Sequence, residues 1–115
     1  MMNTAGLIRG DVLLVEFLFS DESDRKTRPA LVVSAEDYHR SRSEVIIAAI
    51  TSNVSRRLLG DYFVRDWQRA RLLFPSAVTG ILRTVKPSRL RRRLGTLSST
   101  DIDGVDRALR SALAL

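Results

Sequence analysis

Apolar and polar positions alternate through DVLLVEFLF, residues 11–19, with Leu13, Val15, Phe17 and Phe19 on one face, a period of two that predicts a first strand. Its other face carries Val12, Leu14, Glu16 and Leu18, so it is only partly solvated. The polar stretch SDESDRKTR, residues 20–28, breaks the pattern and predicts a loop longer than a tight hairpin. PALVVS, residues 29–34, predicts a second strand with proline in first place, where no ladder donor is needed. AEDYHRSRS follows as a polar excursion with one helical turn, and EVIIAAITS, residues 44–52, is the most apolar run and predicts a central strand. A Gly-Asp turn at Gly60 then leads to a short strand at 62–64 and a less regular segment carrying Trp67. AVTGILRTVKP, residues 77–87, predicts a long strand in which Gly80 marks a bend or bulge.

The chain ends in SSTDIDGVDRALRSALAL, where Ile102, Val105, Leu109, Ala112 and Leu113 recur at helical spacing behind a cap near Ser99 and first-turn acids Asp101 and Asp103. Gly104 lowers helix propensity there without erasing the pattern. About five strands and a C-terminal helix, with no repeat, predict a mainly β protein, a small curved β-barrel with the helix packed on it, as one domain over residues 1–115.

Composition narrows the chemistry. The 115 residues include no cysteine and a single histidine, His39, which rules out a disulfide scaffold or thiolate site and argues against a metal or other cofactor. The N-terminus has no signal-peptide pattern, and no apolar run reaches the roughly 18 residues of a membrane span, so a cytoplasmic, non-membrane protein is expected. The net charge of +6 comes almost entirely from arginine, since Lys26 and Lys86 are the lysines. Arginine forks onto phosphate through paired hydrogen bonds, which suits a polyanionic partner, although a solvated arginine-rich surface accounts for the composition equally well.

Four stretches in order, GDVLLVEFLFSDESDRKTRPALVVS, IAAITSN, DWQRARLLFPSAV and LGTLSSTDIDGVDRAL, resemble the MazF/PemK toxins of type II toxin–antitoxin systems from about Gly10 to Leu113. The resemblance implies an SH3-like barrel, a homodimer, and metal-free cleavage of single-stranded RNA such as mRNA. In that chemistry the ribose 2′-hydroxyl attacks the adjacent phosphate and leaves a 2′,3′-cyclic phosphate and a 5′-hydroxyl. It also implies a cognate antitoxin that lays an acidic segment over the basic surface. Two other functions fit the same barrel: a non-catalytic toxin that acts by binding, as the related CcdB toxins do on gyrase, and a degenerate copy that binds RNA without cutting it.

Arg28 matches the arginine of the family's Arg-Pro motif and is assigned electrostatic stabilisation of the scissile phosphate; by itself it reads as a surface cation ending a loop. Thr51, in ITSN, matches the family's threonine and would hold a phosphate oxygen or the attacking group; by itself it reads as a threonine closing a strand on its own backbone. Ser52, Asn53, Lys26, Arg56 and Arg57 are candidates for substrate binding, and Tyr62 is the candidate platform for stacking a base, whereas Phe63 and Trp67 read as core. His39 matches no catalytic motif and reads as solvated. Asp21, Glu22 and Asp24 lie before Arg28 and read either as candidates for a base, if the loop folds over the site, or equally as a solvated acidic loop; the general base stays unassigned. RLRRRLG, residues 89–95, reads either as a track for an RNA backbone or acidic segment, or as a charged edge against aggregation.

Overall fold

The structure is a computed structural model and describes residues 3–18, 25–55 and 57–115. Strands β1 (Asp11–Leu18), β2 (Arg25–Val32), β3 (Val45–Thr51), β4 (Tyr62–Phe63), β5 (Ala77–Val85) and β6 (Leu90–Thr96) form one sheet in the order β4-β5-β3-β2-β1-β6. Every neighbouring pair is antiparallel. Helix α1 (Glu36–Arg42) joins β2 to β3, and α2 (Ser99–Leu113) ends the chain. No helix among the described residues is long and apolar enough to cross a membrane.

The alternation in β1 supplies two cores. Val12 packs with Leu31, Ala48, Ile50 and Val78 beneath Val105 and Leu109 of α2. Leu13 and Val15 pack with Ala30, Val32, Val45 and Ile47 in a second cluster. Both faces are therefore covered where β1, β2 and β3 run together, which explains why β3 reads as a nearly unbroken apolar run.

Two strand predictions change. The stretch read either as an RNA track or as a charged edge, and not counted among the strands, is β6, an edge strand whose Arg91, Arg92 and Arg93 are exposed. Arginines on an edge deter pairing with another sheet, and here Arg89 and Arg91 also reach Glu16 on β1. Second, β2 starts at Arg25, because pairing with β1 continues back through Lys26 and Arg25. Pro29 is thus internal to β2, but pairing with β3 begins only at Ala30, so the missing N–H falls where one side is open. Gly80 does lie in a bulge, between the Ala48–Leu82 and Ile50–Val78 pairs.

His39 is a correction. It faces inward from α1 and is 1% exposed. Its Nδ1 donates to the Leu7 carbonyl at 3.1 Å, and its Nε2 lies 2.6 Å from Ser34 Oγ. The polar spacing around it gave no sign that an N-terminal turn would close over the ring.

The cap of α2 is Ser98, one residue earlier than expected, with its hydroxyl accepting the Asp101 N–H. Gly104 of α2 lies directly on the Tyr62 ring, and a Cβ there would overlap the ring atoms. The ring cannot retreat easily, because its hydroxyl donates to Asp101 Oδ1 at 2.6 Å. Alanine at an exposed helical glycine gains about 1 kcal/mol, whereas overpacking costs about 1–3 kcal/mol. Gly104→Ala is therefore expected to lower stability by a net of up to ~2 kcal/mol in urea denaturation; a more stable variant would show that the ring moves freely.

Candidate active site

Arg28 and Thr51 come together through strand register. Ala30 pairs with Ala49, and continuing that register by two residues sets Arg28 opposite Thr51 where β2 and β3 part. Both line a cavity of about 520 Å³, together with Thr27, Ser52, Asn53 and Ser76. Leu14, Ile50, Leu72 and Leu94 form its apolar walls. Two large apolar side chains, Leu73 and Phe74, stand at 83% and 61% exposure in the same lining.

The Thr51 hydroxyl oxygen accepts the Asn53 N–H at 3.0 Å, and the Asn53 side-chain oxygen accepts from the Ser55 N–H and hydroxyl. Thr51 therefore closes its strand on its own backbone while keeping a hydroxyl proton to donate. Among the described residues, the Arg28 side chain has no hydrogen-bond or ion-pair partner. A guanidinium beside two hydroxyls and an amide is a site for an oxyanion. The described lining contains no carboxylate or imidazole, and among the described residues no cluster of three His, Cys, Asp or Glu side chains gathers anywhere.

Arg71 and Leu72, which also line the cavity, end a segment that leaves β4 at Val64 and reaches β6 at Ala70. Its turn is closed by Arg71 N–H donating to Gln68 O and Leu72 N–H to Trp67 O, both at 3.0 Å, a Schellman arrangement. Arg71 occupies the left-handed position of that turn at φ 66°, where glycine is the usual residue. The turn lies on β6 because Gly95 has no side chain: a Cβ there would sit 2.7 Å from the Ala70 carbonyl oxygen.

Asp101 anchors the segment from α2. Fully buried, it accepts the Tyr62 hydroxyl at 2.6 Å and the N–H groups of Arg65 and Asp66 at 2.9 and 3.0 Å. Burial alone would raise its pKa, but the hydrogen bonds from Tyr62, Arg65, Asp66 and Ser98 outweigh it and hold the carboxyl below its ordinary value. Tyr62 is pushed up to about 12, first by burial and then by the bond to Asp101.

Of the candidates, Arg28, Thr51, Ser52 and Asn53 share the cavity. Tyr62 does not: its ring lies against Gly104 and its hydroxyl is held by Asp101, outside the lining. Arg57 lies over the Phe63 ring, 4.1 Å from its centroid, and Lys26 sits farther along β2 opposite Phe17, both outside the lining. Arg56 and the acids Asp21, Glu22 and Asp24 lie outside the described residues. Arg71, Leu73 and Phe74 were not legible as site residues. The available signal was an arginine followed by bulky apolar residues ahead of a proline, and that pattern also suits an ordinary loop.

The model of the PemK-like, MazF-like toxins of type II toxin–antitoxin systems matches residues 8–113. The chain belongs to this family. No curated protein matches the sequence significantly. Among solved structures, this toxin domain is similar to the Mycobacterium tuberculosis toxin MazF-mt6, with 25% identity, 91% of this chain and 97% of that one covered, and a TM-score of 0.72. It has the fold of an endoribonuclease in complex with its cognate antitoxin from a mycobacterial species, at 19% identity, 96% and 97% coverage and a TM-score of 0.77. The MazE-MazF complex from Deinococcus radiodurans shares it at 17% identity, 95% and 97% coverage and a TM-score of 0.76. The toxin's six-stranded antiparallel sheet with a C-terminal helix is the architecture of these structures.

Proposed function

We propose that this toxin is an endoribonuclease that cleaves single-stranded RNA by attack of the ribose 2′-hydroxyl on the adjacent phosphate. The observation that carries the reading is the shared cavity of Arg28 and Thr51. The scissile phosphate sits against the Arg28 guanidinium, a permanent cation that offsets charge building up on the phosphorane. The Thr51 hydroxyl donates to a non-bridging oxygen and fixes the phosphate for in-line attack, with Ser52 and Asn53 beside it. The 2′-oxygen–phosphorus bond forms as the phosphorus–5′-oxygen bond breaks, giving a 2′,3′-cyclic phosphate and a 5′-hydroxyl. The proton leaves the 2′-hydroxyl for a base, for which Asp21, Glu22 and Asp24, a few residues before Arg28, are the candidates, and the departing 5′-oxygen takes up a proton from water. In the cytoplasm a cognate antitoxin with an acidic segment would cover the basic cavity and stop the reaction.

The test is to incubate the purified chain with a long RNA in EDTA and map the ends. Expected are 5′-hydroxyl termini at a short recurring motif, suppressed by the antitoxin. Intact RNA with gyrase inhibition would instead assign the toxin to the binding class.

A further inference from the structure

A second cavity, of about 560 Å³, adjoins the first and shares Arg71, Leu72, Leu73 and Leu94 with it. We propose that Arg71, Trp67 and Arg92 form a subsite for the nucleotide next to the scissile phosphate, with Arg71 and Arg92 on its phosphate and Trp67 stacked on its base. The proposal rests on the reading that the first cavity takes single-stranded RNA.

Three observations carry it. First, arginine occupies a left-handed turn position that favours glycine, so the backbone bears a cost that a side chain between the two cavities would explain. Second, on β6 Arg91 is taken by Glu16 and Arg93 by Asp11, while Arg92, between them and lining the second cavity, has no ion-pair partner among the described residues. Third, Trp67 is half-buried: it packs on the first core and also lines the cavity, so the indole is held rigidly with part of its surface available. Gln68 lies at the same rim with a donor and an acceptor for a base edge. Cations along the backbone with an aromatic for the base are the parts that single-strand binding requires.

Trp67 is the single tryptophan of the chain, so its emission reports on this subsite alone. The probe is a mixed-sequence single-stranded hexamer that is 2′-deoxy throughout and therefore cannot be cut by 2′-hydroxyl attack; binding is read by anisotropy of a labelled copy and by emission with an unlabelled one. Binding is expected to quench Trp67. Arg71→Gly is expected to weaken affinity about tenfold and reduce the salt slope by about one, while Tm holds or rises because glycine relieves the left-handed backbone. Arg92→Gln, on the exposed edge, is expected to weaken affinity with Tm unchanged, and Trp67→Leu to weaken it about tenfold. A purely structural Arg71 would leave affinity and slope unchanged in Arg71→Gly, and that result overturns the phosphate assignment. Anisotropy reporting binding with constant Trp67 emission overturns the base site. Cleavage of long RNA by the unmodified chain, mapped in parallel, bears on the ribonuclease reading separately: binding with quenching but no cleavage sustains the subsite and removes the nuclease.

Discussion

Arg28→Ala is expected to lower the rate of RNA cleavage by about two to three orders of magnitude, the usual effect of removing one preorganised group that stabilises transition-state charge. The fold should be indifferent. Arg28 is exposed and, among the described residues, its side chain has no partner, so stability should stay within about 0.5 kcal/mol. Arg28→Lys retains the charge and loses the planar fork, and an intermediate rate is expected if paired hydrogen bonds to the phosphate matter. Cleavage rates on one defined RNA and thermal melts of the same samples check this together. Full activity in Arg28→Ala, with Tm unchanged, would remove Arg28 from the chemistry.

Asp101→Ala is expected to lower stability by about 3 kcal/mol, because it removes the one buried acceptor shared by the Tyr62 hydroxyl and the Arg65 and Asp66 N–H groups, all three partly buried bonds. Asp101→Asn keeps the shape but sets an NH2 group against N–H donors on one side, so a smaller loss follows. The pH dependence has a definite sign. The folded-state pKa of Asp101 is lowered, so its contribution is complete above the ordinary carboxylate pKa of about 4 and is lost as the pH falls through the folded value. Urea denaturation across that acid range should show the unmodified chain losing stability and Asp101→Ala losing less. Cleavage should fall with stability, since the segment that Asp101 holds carries Arg71 and one wall of the site. A variant as stable as the parent would mean that water replaces the carboxylate.

Much of the fold was legible because burial on one or both faces imposes a readable period. β1, β3, β5 and α2 follow from apolar spacing, and Gly80 from its place in a strand. β6 escaped because an edge strand needs few apolar residues: Leu90 and Leu94 pack, while the arginines between them are exposed on the sheet's margin. The start of β2 was placed late because pairing with β1, not local composition, draws polar residues into the strand. His39 and Tyr62 were both misplaced for one reason. An amphipathic ring reads as exposed until a partner far along the chain supplies its hydrogen bond, here Leu7 for one and Asp101 for the other.

The sequence by itself determined the mainly β architecture, the terminal helix and the arginine-rich charge, since each rests on residue type and near-neighbour spacing. Tertiary structure alone decided that Arg28 faces Thr51 across two strands, that Arg71 sits at φ 66° beside them, and that Trp67 rather than Tyr62 lines an open cavity. Those outcomes depend on strand register and on contacts between segments thirty or more residues apart, such as Asp101 with Arg65. Such contacts leave no local period, because the same side chains at the same spacing are compatible with either surface or core until the sheet closes around them.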